Sequence, residues 1–296
     1  RFRGSDEGSF TGRVSYPSSS DRGSSRRSVF PMIILTKEVR QSLVADSELT
    51  LGAAIGNTFA ETRSIKGGGQ VMAEDVCGFW PGSDPELKNE VLIVSAHYDH
   101  VGTRDGVVYN GADDNGSGTT GMLAIASALK EYGPMRRSVM LIWVSGEEKG
   151  LWGSKAWAQN PSLPEGTRAV ANINIDMIGR NAPNVLYLTP SPDHKDFGGL
   201  TRLGEKFGIE EGFGDFPEGR EQGLPGLGSA DPYYQRSDHA EFAKMGIPVC
   251  FFFAGEHEDY HQPGDTPDKI DYDKIRRVAR TVVKMLDALQ TDTLDL

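Results

Sequence analysis

Cysteine is scarce. The 296 residues hold two, Cys77 and Cys250. Two thiols make neither a disulfide framework nor a thiolate zinc site of their own, so any metal must be held by His, Asp and Glu. Long apolar runs are missing as well. None reaches the roughly 18 residues needed to cross a bilayer, and no membrane span is expected. Positive charge is in deficit: 31 Lys and Arg stand against 42 Asp and Glu, for a net charge of −11. That balance argues against a grip on nucleic acid or anionic lipid. With 38% hydrophobic and 25% charged residues, the composition excludes a collagen-like, coiled-coil or wholly disordered chain. Glycine, by contrast, is plentiful at 36 residues, which predicts many tight turns. The chain begins at Arg1, not Met, and reads as a processed product or an excised piece.

Residues 1–27 are rich in Ser, Arg and Gly and lack periodicity, as expected for a solvated accessory segment; a basic patch at Arg22, Arg26 and Arg27 is the sharper alternative. Residues 30–44 suggest one strand and one helix cut from something larger. From residue 70 the pattern is regular. Continuous apolar runs at 91–96, 138–145 and 247–253 are the signature of strands buried on both faces. Further strands are predicted at 71–80, 169–175 and 184–188. Helical spacing covers 115–132, 153–159, 197–207, 237–244 and 272–289, the last with Ile275, Val278, Val282, Val283 and Leu286 on one face. Strands alternating with helices predict an α/β sheet covered on both sides. Residues 208–236 fit neither period and are either a functional loop or a plain surface excursion.

The informative polar residues follow the apolar strands, where the loops of an open α/β sheet diverge and leave a crevice. His97-Tyr98-Asp99 follows the first buried run, and in extended chain the Asp99 carboxylate is placed to support the His97 ring. The string GADDNGSG at 111–118 precedes a helix. Capping explains one Asp there, but explains less well two adjacent acids framed by glycines. Glu147 and Glu148 sit in a glycine-bounded turn after a buried strand, where adjacent carboxylates can point to different sides. Asp176 ends an apolar strand. Tyr260-His261-Gln262-Pro263-Gly264-Asp265-Thr266 precedes the last helix.

Carboxylate and imidazole donors without thiolate suit zinc, with manganese or cobalt as substitutes. Three of the acids, Asp114, Glu148 and Asp176, together with one hydroxide, would neutralise two divalent ions. Without cations, each carboxylate pair at ~5 Å repels by roughly 3 kcal/mol at an effective dielectric of 20.

The ordered strings HYD, GADDNGSG, GEEKGLWGS, NIDMIG, RSDHAEFAKMGIP and YHQPGDT resemble the co-catalytic dizinc exopeptidases over about residues 70–290. That family includes leucyl-type aminopeptidases, glutamate carboxypeptidases and the divergent glutaminyl cyclases and transferrin receptor. The resemblance implies a three-layer α/β domain with a mixed, mostly parallel sheet of about eight strands. It implies two zinc ions, one on His97 and Asp176 and one on Glu148 and His261, with Asp114 bridging. Glu147 would be the general base for a shared hydroxide, Asp99 would back His97, and Tyr260 would stabilise the oxyanion. Arg236 would lie near the substrate terminus, and His239 would serve the scaffold. Tyr233 and Tyr234, with Phe213 and Phe216, are candidates for the substrate pocket wall. Residues 1–50 would be an accessory segment, with 28–50 resembling the trailing end of a protease-associated insert, and 51–296 the catalytic domain.

The expected function is a zinc aminopeptidase acting on peptides outside the cytoplasm, secreted or periplasmic. A carboxypeptidase, a glutaminyl cyclase-like transferase and a receptor-like module without catalysis are the alternatives.

Overall fold

Residues 73–214, 228–229 and 231–296 are described by the computed structural model. The chain divides into two units, Arg1–Ala73 with Thr103–Gly106, and Glu74–Gly102 with Val107–Leu296. Of the first, only Ala73 and the exposed turn 103–106 are described. The accessory segment over 1–50, its arginines and Phe216 lie outside the described residues.

The second unit carries a seven-stranded sheet. Its strands are β1 (Val76–Trp80), β2 (Glu90–His97), β3 (Ser138–Val144), β4 (Arg168–Ile175), β5 (Tyr187–Thr189), β6 (Gly228–Ser229) and β7 (Val249–Phe253), in the order β1-β3-β2-β4-β7-β5-β6. The four central strands, β3, β2, β4 and β7, run parallel. Antiparallel pairing is confined to β1 on β3 and β5 on β7. The sheet is thus mixed and mostly parallel as expected, with seven strands among the described residues where about eight were anticipated.

Alternation along β2 explains why its apolar run is continuous. Successive side chains enter opposite faces. Leu92, Val94 and Ala96 join a core with Met122 and Ile125 of α1 (Gly118–Tyr132), Leu200 of α3 (Gly199–Glu210), and Val282 and Leu286 of α5 (Tyr272–Ala288). Val91 and Ile93 join a second core with Trp157 of α2 (Trp152–Gln159) and Phe242 of α4 (His239–Lys244). Helices therefore cover both faces, which is the expected three-layer arrangement.

A buried arginine ties the end of α5 to the start of β3. Arg137, 1% exposed, donates from Nε to Glu90 at 2.8 Å and from Nη1 to the carbonyls of Leu289 and Thr291 at 2.7 and 2.6 Å. Replacing it by methionine leaves the buried Leu289 carbonyl, and the part-buried contacts to Glu90 and Thr291, without their donor. Arg137→Met is expected to cost about 3 kcal/mol, read as a lower urea midpoint. A loss under about 1 kcal/mol would show that the clamp is dispensable.

Candidate metal centre

Register brings the acids together. Because the four central strands are parallel, their carboxyl ends share one edge of the sheet. Ser95 pairs with Asn174 and His97 with Val144, so His97 stands level with Asp176 and just before the Glu147–Glu148 turn. The chain leaves β7 into a loop that returns Tyr260 and His261 to the same edge.

Asp114 arrives from the segment before α1. This stretch, Ala112–Ser117, is not regular helix, since Asp114 has φ −104° and ψ 90°, and the Asp114–Asn115 peptide is cis. It is pinned on both sides. The buried Asp265 carboxylate accepts the backbone N–H groups of Asp113 and Asp114 at 3.0–3.1 Å. Asn115 donates to the Ile175 carbonyl at 2.9 Å, and its Oδ1 accepts from the Gly118 N–H at 2.9 Å.

Two groups of donors result. In the first, His97 Nε2 lies 3.3 Å from Asp114 Oδ1 and 3.2 Å from Asp176 Oδ1. In the second, His261 Nε2 lies 3.0 Å from Asp114 Oδ2 and 3.1 Å from Glu148 Oε2. Asp114 belongs to both and offers each a different oxygen. Donors bound to one tetrahedral zinc at about 2.0–2.2 Å stand about 3.3–3.6 Å apart, so these pairs lie at or a few tenths of an ångström inside the spacing a bound cation would impose. His97, Asp114 and Asp176 have donor atoms all within 4.8 Å of one another, and so do His100, Asp114 and Glu148.

The His97 ring is oriented differently from expectation. Its Nδ1 is 3.1 Å from the Asp99 carbonyl and 3.7 Å from the Asp99 carboxylate. The carboxylate instead accepts the Glu147 N–H at 3.0 Å. Asp99 thus fixes the His97 tautomer with its backbone and steadies the Glu147 turn with its side chain.

Electrostatics follow from burial. Burial opposes charge on His97, but Asp176 and Asp114 outweigh it and hold the imidazolium well above its usual range. Hydrogen bonds to Asp114 and Glu148 push His261 up to about 10. Asp114, although buried, is held well below the usual carboxylate range by His261 and His97. Burial also works against Glu148, but the His100 and His261 rings bring it down. Asp176 moves the other way, raised by burial and by Asp114. Glu147 is pushed up to about 9 by burial and by the carboxylates of Asp238, Asp176 and Glu148, against the pull of His97.

A cleft opens over Asp114, Glu147 and Asp176, walled by Met177, Phe251, Phe253, Tyr233 and Tyr260. Arg236 and Glu256 also line it, paired at 3.2 Å and partly exposed, with the guanidinium 4.8 Å over the Tyr233 ring. Tyr234, expected beside the substrate, does not line the cleft. It is buried in the second core, bonded to Asp196 at 2.9 Å. Phe213 is likewise a core residue under Arg277. His239 is scaffold, fully buried and stacked on Phe251 at 4.3 Å, with burial depressing its pKa to about 3.

Sequence reasoning did not single out His100, whose Nδ1 is 2.9 Å from Glu148 Oε1. Its one signal was its place immediately after His97-Tyr98-Asp99.

The α/β domain and its paired donor groups are those of a metal-dependent hydrolase class. Residues 75–286 match peptidase family M28, and the chain belongs to that family. It is 33% identical over 177 residues to leupeptin-inactivating enzyme 1 of Streptomyces exfoliatus, an alignment covering 60% of this chain and 34% of that protein. It is 29% identical over 203 residues to aminopeptidase YwaD of Bacillus subtilis, covering 65% and 40%. The chain thus spans about a third to two fifths of the length of these relatives. The structure of BSAP, a zinc aminopeptidase from Bacillus subtilis, aligns with TM-score 0.55 and 25% identity, covering 72% of this chain and 49% of that one. A Bacteroides thetaiotaomicron glutaminyl cyclase shares the fold at TM-score 0.52 and 20% identity, covering 72% and 76%.

Two outcomes are expected. Asp265→Ala frees the Asp113–Asp114 backbone, and zinc affinity should fall about 10- to 100-fold in a chelator competition titration; an unchanged constant would remove Asp265 from this role. Zinc must also displace the protons that His97 and His261 carry, so affinity should rise with pH. At least two protons should be released on saturation at pH 7, two from the imidazoles and up to one more from Glu147, measured by calorimetry in buffers of different ionisation enthalpy. Release of none would contradict the assigned imidazolium state.

Proposed function

We propose that this domain is a zinc-dependent aminopeptidase that removes amino-terminal residues from peptides, with two cations sharing Asp114. The observation that carries the reading is the division of the Asp114 carboxylate, one oxygen toward His97 and Asp176 and the other toward His261 and Glu148. Asp114, Asp176 and His97 would hold one cation, and Asp114, Glu148 and His261 the other. Cations bound there supply Lewis-acid polarisation of a carbonyl and an acidified water.

The chain's own residues account for the rest. Glu147 lines the cleft beside both groups but contacts neither set of imidazoles. It suits the base that takes a proton from the attacking water and passes it to the leaving amine. Its raised pKa reflects burial beside other carboxylates, and positive charge among those neighbours would lower it into the working range. Burial and Asp114 keep the Tyr260 phenol above its ordinary pKa. It therefore stays protonated and available to donate to a developing oxyanion. Phe251, Phe253 and Met177 offer an apolar wall for a substrate side chain. The names of the M28 relatives favour amino-terminal over carboxyl-terminal cleavage, and a location outside the cytoplasm is our proposal.

The test is hydrolysis of aminoacyl anilides with free and acetylated amino termini, before and after chelation. Cleavage of the free substrates alone, lost on chelation and restored by zinc, is the expected result. Cleavage confined to carboxyl-terminal residues, or ring closure of amino-terminal glutamine peptides, would overturn it. Glu147→Gln should retain zinc and lose turnover about 10²- to 10⁴-fold. Undiminished turnover would remove Glu147 as the base.

A further inference from the structure

We infer that His100 is a further ligand, through Nδ1, to the cation that Asp114, Glu148 and His261 would hold. The inference rests on the two-cation reading above and gives its two sites unequal strength.

His100 follows the end of β2 and turns its ring into the second donor group. Its side chain is 9% exposed, with Nδ1 2.9 Å from Glu148 Oε1 and 3.8 Å from Asp114 Oδ2. At 2.9 Å a hydrogen bond would be the ordinary explanation, but the atoms are not aligned for one. Neither His100 nitrogen nor Glu148 Oε1 has any hydrogen-bond partner, although all three are buried. The scaffold residue His239 also leaves both ring nitrogens unpartnered, but it lies stacked on Phe251, whereas His100 Nδ1 faces the Glu148 and Asp114 carboxylates. Buried donor and acceptor atoms facing one another without bonding are what a shared cation accounts for.

Ring geometry points the same way. His100 and His261 meet edge to face with centroids 5.7 Å apart. Two imidazoles on one zinc, each with its nitrogen about 2.0–2.1 Å from the metal, place their centroids about 5–6 Å apart. The backbone has made room for the ring. Gly111 has φ +61°, and a Cβ on it would come within 2.4 Å of His100 Cγ. A side chain at 111 is therefore excluded by both conformation and contact.

The consequence is asymmetry. One group then has four protein donors, Asp114, Glu148, His261 and His100. The other has three, Asp114, His97 and Asp176. A site with three protein donors keeps a position open for substrate, whereas four donors close a tetrahedral shell. Among the donors the cleft is lined by Asp176 and the shared Asp114, not by His97, His100, Glu148 or His261. The four-donor site should fill first and hold its ion more tightly.

The experiment is cobalt and zinc titration of the full chain after chelator stripping, in the parent, His100→Asn and His100→Cys. The parent should bind two ions, one at least tenfold tighter. His100→Asn keeps a polar side chain but not a good ligand. It should weaken the tighter ion about 10- to 100-fold, leave the weaker one unchanged and alter the visible cobalt spectrum. His100→Cys should add a thiolate-to-cobalt charge-transfer band in the near ultraviolet that saturates with the first equivalent. Parent-like constants and spectrum in His100→Asn, or no such band in a folded His100→Cys, would overturn the inference. A parent that binds fewer than two ions would instead overturn the two-cation reading beneath it.

Discussion

Buried like charge is the constraint around which this domain is built. Asp114, Asp176 and Glu148 converge at the carboxyl edge of four parallel strands, with Asp114 4% and Asp176 8% exposed. Carboxylates at such range repel by several kcal/mol in a medium less polar than water. They stay because positive charge is set between them: His97 between Asp114 and Asp176, His261 between Asp114 and Glu148. The donor atoms already stand within a few tenths of an ångström of the spacing that a cation requires. Loading would exchange protons for metal on the same nitrogens, so the fold needs only small adjustments to accept it.

Each pair of adjacent acids divides its labour. Asp113 Oδ1 accepts the Gly179 N–H at 2.6 Å, and its Oδ2 faces the buried His257 at 3.2 Å. It braces the loop while Asp114 faces the donor groups. Glu148 turns to the imidazoles and Glu147 to the cleft. Behind them, Ser237 donates to Asp176 Oδ2 at 2.8 Å and receives from Asn174 at 2.9 Å. Asp238 accepts from Ser154 at 2.5 Å, with its pKa raised to about 7 by burial. This hydrogen-bonded layer fixes the aim of the acids, because a carboxylate free to rotate would relieve the repulsion by turning away.

The strands were legible because burial on both faces leaves a continuous apolar run. The runs at 91–96, 138–145 and 247–253 became β2, β3 and β7 with ends shifted by no more than two residues. The acids were legible because each follows such a run or opens a helix. His100 was not, because β2 ends at His97 and alternation predicts nothing beyond the end of a strand. The same limit applies to Asp99, whose carboxylate serves Glu147 while its carbonyl serves His97. Tyr233 and Tyr234 looked equivalent as aromatic neighbours. Tyr233 ends a short helical turn, Asp231–Tyr233, and Tyr234 follows it; which of the two faces the cleft is set by the packing of Tyr234 on the second core, which has no local sequence signal.

Two left-handed residues complete the site by suspending alternation where it matters. In extended chain Asp176 and Met177 would face opposite sides, yet both line the cleft. Met177 has φ +51°, which turns its side chain back beside Asp176, and its carbonyl is held by the Ala254 N–H at 2.8 Å. His261 has φ +54°, and its ring stacks on Tyr260 at 4.0 Å. A proposed ligand and a proposed oxyanion donor, adjacent in sequence, therefore reach the same side of the site. Each such conformation costs about 1–3 kcal/mol for a residue with a side chain. Packing opposes that cost: Met177 is buried with Phe251 and Phe253, and Tyr260 packs against the same cluster. The apolar wall that would receive a substrate side chain thus also holds the backbone in the conformation that the polar site requires.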